Sequence, residues 1–212
     1  MRAITRDSLP HLVDVASRTL ARSLSTGYAR LAARWWLVDL GADCQFYGRV
    51  RMFRHPGSTL SIGERCTFRS SHASNPSGID RPCLLSTLNE HARLQIGPGC
   101  SFSGAAIVCT TGITIGANVR CGPNVWIVDT NGHADTDARM AEDAPIVIGD
   151  GVFLGTGVYV MRGVTIGEDT VVAAGSVVTR SLPAGVVAVG SPARVIKKVR
   201  GASEPDPQDT PR

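Results

Sequence analysis

VIGDGVFLGTGVYVMRGVTIGEDTVVAAGSVVTRSLPAGVVAVGSPARVIKKV, residues 147–199, decides the architecture. Aliphatic residues stand at Ile148, Leu154, Val160, Ile166, Val172 and Val178, six apart without a slip, and are followed by Gly, Gly, Met, Gly, Ala and Thr. Four positions after the first five come Val152, Val158, Val164, Thr170 and Ser176, all small or β-branched. A period of six fits neither the 3.6 of a helix nor the 2 of a simple strand, but it fits short strands joined by tight corners. Three such strands close one coil, and stacked coils pair in parallel, each burying its apolar line against the next. Glycine after the aliphatic residue is expected to supply a positive φ at the corner.

The same pattern recurs upstream at Ile62–Phe68, Ile96–Phe102–Val108 and Ile115–Cys121–Ile127, with Ile-Gly at 62–63, 96–97, 115–116, 148–149 and 166–167. Breaks in phase predict one insertion over residues 69–90 and another between Ile127 and Ile148. Abundant Gly, Val and Ile with only 5% aromatics suit such a repetitive β architecture better than a helical bundle. The 212 residues suggest one main domain.

The N-terminus reads differently. Ser8 with Leu9-Pro10 signals a helix start, and Leu9, Leu12, Val13, Ala16, Leu20 and Leu24 recur at three and four residues with Arg18 and Arg22 opposite. Residues 8–38 are expected to be helical, with a break near Gly27. Residues 1–54 hold nine Arg against four Asp, while the remainder is near neutral. This helix is expected to pack on the first coil, with contact to an anionic membrane surface as the alternative; no nucleic-acid partner is expected. The organisation expected is a helical segment over 1–40, a β-helix over 41–200 and a disordered Pro-rich tail over 201–212.

Six cysteines, at 44, 66, 83, 100, 109 and 121, form no C-x-x-C pair, and Cys66, Cys100 and Cys121 fall on the hexad pattern as core fillers. With no apolar leader segment and no apolar run of about 20 residues, a reduced, cytoplasmic protein is expected.

The C-terminal segment quoted above, with its AAGSVVTR and VGSPARVIKK, resembles the last coils of the maltose/galactoside-type O-acetyltransferases and their relatives in bacterial surface polysaccharide synthesis. The resemblance implies a left-handed parallel β-helix and a homotrimer with a site at each subunit interface. It also implies acetyl-CoA as donor and no resident metal. It places Gly155, Thr156 and Ala174 along the pantetheine, Thr179 and Arg180 beside the donor, and Arg194 and Lys197 at its phosphates, where guanidinium and ammonium suit phosphate oxygens.

Acyl transfer to a hydroxyl needs a base that is largely neutral near pH 7, and imidazole suits it. Of the five histidines, His133 lies in Asp129-Thr130-Asn131-Gly132-His133, at the opening of the second insertion and in the D-T-x-x-H segment where the family carries its catalytic histidine. Asp129, Asn131, Asp135 or a backbone carbonyl would fix the ring tautomer. Where the family carries an acceptor-binding asparagine, this chain has Ser103 or Gly104, so Ser103 and Asp135 are the acceptor-side candidates. The reaction expected is O-acetylation of a sugar or glycan hydroxyl. N-acylation of a nucleotide-linked amino sugar, a γ-type carbonic anhydrase and a non-catalytic scaffold are the alternatives.

Overall fold

The computed structural model describes residue 6 and residues 9–130 and 142–199. One helix, α1 (Leu9–Trp35), precedes six coils of three strands each. The first coil is β1 (Asp39–Leu40), β2 (Gln45–Tyr47) and β3 (Arg51–Arg54); the second is β4 (Thr59–Ile62), β5 (Thr67–Arg69) and β6 (Leu84–Thr87). The third is β7 (Arg93–Ile96), β8 (Ser101–Ser103) and β9 (Ala106–Cys109), and the fourth β10 (Gly112–Ile115), β11 (Arg120–Pro123) and β12 (Trp126–Val128). The fifth holds β13 (Ile146–Ile148), β14 (Phe153–Leu154) and β15 (Tyr159–Val160), and the sixth β16 (Thr165–Ile166), β17 (Val171–Val172) and β18 (Val177–Val178). β19 (Val186–Gly190) and β20 (Ala193–Lys198) close the end as an antiparallel pair.

Every third strand pairs in parallel, so the chain builds three sheets around one prism, and the architecture is the left-handed parallel β-helix. The hexad residues form its core. Ile62, Ile96, Ile115, Ile148 and Ile166 stand in register down the first sheet and are all buried. Phe46, Phe68 and Phe102 stack in the second, with ring centroids 5.0 and 5.2 Å apart. The third carries Met52, Leu85, Ile107, Ile127, Val160 and Val178.

The Ile-Gly glycines do a different job from the one expected. They do not take positive φ. A Cβ on Gly63 would lie 2.6 Å from the Pro98 nitrogen, and one on Gly149 2.6 Å from the Glu168 nitrogen, so these glycines let successive coils approach. Positive φ falls two residues later, at Arg65, Gly99, Asn118, Gly151 and Asp169 (55–71°). With Asp43 (φ 56°) at the equivalent place in the first coil, the left-handed residue of the first corner is glycine in only two of the six coils, and Asn or Asp, which tolerate this region better than most, in three more.

Two boundaries also differ. The expected insertion over 69–90 is a loop of residues 70–83 followed by β6, a regular member of the third sheet. The helix runs through Gly27 without a break, because it is held from its docked side: Ser25 Oγ accepts from the Gly48 N–H at 3.0 Å, and Thr26 Oγ1 from the Phe46 N–H at 3.1 Å. Ala29 and Ala33 are buried beside them. Glycine costs about 1 kcal/mol in a helix, which this docking exceeds. The helix ends in a Schellman motif, with the Val38 N–H donating to Ala33 O at 2.8 Å and Leu37 in the left-handed region (φ 52°). The tail over 201–212 lies outside the described residues.

Candidate functional site

The second insertion leaves the prism at its third corner, between the third and first sheets, after β12. Asp129, fully buried, stands at its root. Oδ1 accepts the Thr110 N–H at 2.7 Å; Oδ2 accepts the Thr111 and Gly112 N–H groups, each at 2.8 Å, and the Thr111 hydroxyl at 3.0 Å. The carboxylate therefore ties the turn before β10 to the start of the insertion. The other root is fixed by Ala144, whose N–H donates to Asp129 O and whose O accepts from the Gly163 N–H. His133, Asn131 and Asp135, the residues expected to act at this loop, lie outside the described residues.

A second array runs down the second corner, between the second and third sheets. Gly155-Thr156-Gly157 and Ala173-Ala174-Gly175 occupy equivalent positions one coil apart, with the Gly175 N–H donating to Thr156 O at 2.8 Å. Gly155 is needed for this stacking, since a Cβ there would lie 2.5 Å from the Ala174 nitrogen. Thr156 and Ala174 are both exposed, so the structure brings these expected donor residues to one accessible line. Arg194 and Lys197 project from β20, the outermost strand of the adjoining second sheet, and are also exposed. Thr179 and Arg180 are not on this line; they follow β18 at the third corner, the one from which the second insertion leaves.

The residues 70–83 fold over the second corner, an arrangement the hexad pattern does not reveal. Asp80 and Asn124 exchange two hydrogen bonds of 3.0 Å, and the Arg81 guanidinium lies 4.8 Å over the Trp126 ring, which itself stacks on Tyr159. Ser103 is buried there and accepts from Asn75 Nδ2 at 3.0 Å. The signal in the sequence was Asn124, a residue suited to the positive φ (61°) of this corner and also able to bridge.

All six cysteines are free and buried. Burial, and then the Asp129 carboxylate, push the Cys109 thiol up to about 12; Cys66 is pushed up to about 11, first by its hydrogen bond with the Cys100 thiol. Burial raises Cys121 and Cys83 as well. These four thiols are protonated at neutral pH and do not act as nucleophiles, whereas Cys100 is lowered by its hydrogen bond with Cys66 and is kept from reagents by its burial. Among the described residues no group of three or more His, Cys, Asp or Glu side chains converges to hold a metal.

The repeat and the fold together define a hexapeptide-repeat β-helix. Residues 145–180 match the family model described as bacterial transferase hexapeptide (six repeats), so this part of the chain is a run of that repeat. Among solved structures the chain is similar to AntD, an N-acyltransferase from Bacillus cereus, in complex with dTDP-4-amino-4,6-dideoxyglucose and coenzyme A. The TM-score is 0.57 at 19% identity, over 77% of this chain and 84% of that one. The same enzyme with dTDP and 3-hydroxybutyryl-CoA gives 0.56 at 18%, over 81% and 88%. A hexapeptide-repeat acetyltransferase, VCA0836 of Vibrio cholerae, gives 0.49 at 23%, over 89% and 93%. A search among curated proteins finds no match.

Proposed function

We propose that this protein is a cytoplasmic acetyl-CoA-dependent O-acetyltransferase acting on a sugar or glycan hydroxyl, with His133 as general base. The observation that carries the reading is the unbroken hexad register from Ile148 to Val178, coincident with the transferase repeat over 145–180. The exposed line of Thr156 and Ala174 offers backbone and small side chains to an extended pantetheine, and Arg194 and Lys197 offer cations to the phosphates. His133 takes the hydroxyl proton as the oxygen attacks the thioester carbon; coenzyme A leaves as its thiol. Asp129 acts as a positioning residue, because its carboxylate is committed to the turn at 110–112.

The donor line and the segment bearing His133 leave different corners of one prism, and this supports a site shared between protomers of a homotrimer, the third corner of one meeting the second corner of its neighbour. Thiol release from acetyl-CoA, measured over monosaccharides, polysaccharide fragments and nucleotide-linked amino sugars, tests the reaction, with light scattering for the trimer. Acceptor-dependent release with a hydroxyl acceptor is expected. Turnover confined to the amino sugars would move the reading to N-acylation, as in the AntD enzyme, and an absence of both turnover and coenzyme A binding would leave a scaffold.

A further inference from the structure

Docking through Ser25, Thr26, Ala29 and Ala33 leaves the opposite side of α1 bare. From Leu9, steps of four, three and four residues lead through Val13 and Ala16 to Leu20; the same steps lead on through Leu24 and Gly27 to Leu31, and Trp35 follows four later. At about 100° per residue an eleven-residue repeat returns to nearly the same bearing, so these eight positions form one line about 40 Å long. All are exposed, Leu20 at 64%, Leu24 at 68%, Leu31 at 69% and Trp35 at 83%. Single exposed leucines are ordinary, but a continuous apolar stripe of this length marks an interaction surface.

Charge decides what covers it. The helix carries Arg18, Arg22, Arg30 and Arg34 against Asp14 as its sole acid. Arg30 and Arg34, both exposed, lie one step before Leu31 and Trp35 and so flank the stripe on one side. On the other side Tyr28 carries the Arg49 guanidinium 5.5 Å from its ring centroid. Arg18 and Arg22 lie on the opposite, docked side, so two copies laid stripe to stripe would gather four arginines, Arg30 and Arg34 of each, with no acid beside them on the stripe, whereas anionic headgroups would neutralise them while the acyl region takes the leucines.

We propose that α1 lies flat in the surface of an anionic bilayer and holds the β-helix against it. The helix lies on the membrane and does not span it, since no described helix is long and apolar enough to cross. Trp35, at the end of the stripe, sits at headgroup level in this arrangement.

Co-sedimentation of the full chain with vesicles of equimolar phosphatidylglycerol and phosphatidylcholine, against phosphatidylcholine alone, tests this. Binding to the anionic vesicles is expected, weakening as salt is raised. Leu20→Ser combined with Leu24→Ser should lower the partition by roughly 10- to 100-fold, and Arg30→Glu with Arg34→Glu by about tenfold or more. Circular dichroism should show both variants folded, because the substituted side chains are exposed. Failure to sediment with either vesicle overturns the proposal, as does binding that the leucine pair leaves unchanged. A drop in mass by light scattering on substitution of that pair, without lipid, would instead give the stripe to a second copy of the chain.

Discussion

At the scale of single residues, His133 and Asp129 divide one task between chemistry and placement. A general base contributes roughly 10²–10⁴ in rate, so His133→Ala is expected to lower kcat by about that factor while leaving acetyl-CoA affinity nearly unchanged. Steady-state kinetics with titration calorimetry for the donor would check both; near-normal kcat in a folded variant would place the base elsewhere. Asp129→Ala should act on stability first. It strands three backbone N–H groups at 110–112, and each unsatisfied donor costs about 1–3 kcal/mol, so urea unfolding should show a loss of about 3 kcal/mol or more. An undiminished stability accompanied by a shifted pH profile of kcat would instead make the carboxylate a direct partner of the imidazole. Asp129 was legible in the sequence as a member of the D-T-x-x-H segment, but not its partners, because the turn it clamps lies a whole coil earlier in the chain.

At the scale of elements, corners and caps carry the specification. Leu37 occupies the left-handed position that ends α1, where a side chain is strained and glycine is not, and its side chain is 72% exposed, so little packing is lost with it. Leu37→Gly is therefore expected to raise stability by about 1 kcal/mol, visible as a higher Tm; an unchanged or lower Tm would show that the side chain contributes more than its exposure suggests. The strand positions were readable from the period of six, since inward residues must be aliphatic. The separation of close approach, at Gly63, Gly97, Gly116, Gly149 and Gly167, from positive φ two residues later was not, because both demands favour glycine and composition does not distinguish them. The strand β6 hid inside an apparent insertion because the loop before it resets the phase of the repeat.

For the whole molecule, the prism interior sets a pH response. Cys109 is raised from 9.0 to about 12 by burial and by the neighbouring carboxylate. Its folded pKa exceeds that of the unfolded chain, so its contribution to stability is complete below about pH 9 and is lost as pH rises toward 12. Cys66 adds no clear share, because the hydrogen bond that raises it lowers its partner Cys100. Urea unfolding from neutral pH to pH 11 should show constant stability followed by a fall, with no native-state labelling by thiol reagents near pH 8; early labelling would mean that the coils open more readily than their packing implies.

What the chain determined by itself was the coil. A hexad of aliphatic residues can bury its apolar line only by stacking, and a β-helix follows from that periodicity together with the glycine that lets coils close. The helix at the N-terminus was readable for the same local reason, whereas the line of Thr156 and Ala174 was implied by the family resemblance and not by the period. What the tertiary structure decided was which faces meet. The sequence did not say which face of α1 would dock: the small residues Ala29 and Ala33, and not the leucine repeat, fit against the first coil, because the hydroxyls of Ser25 and Thr26 satisfy backbone donors at the open end of the second sheet and larger side chains would hold the helix away. The apolar stripe therefore points outward. The fold of residues 70–83 over the second corner likewise depends on Asp80 meeting Asn124 across 44 residues of sequence, a contact that no local pattern encodes.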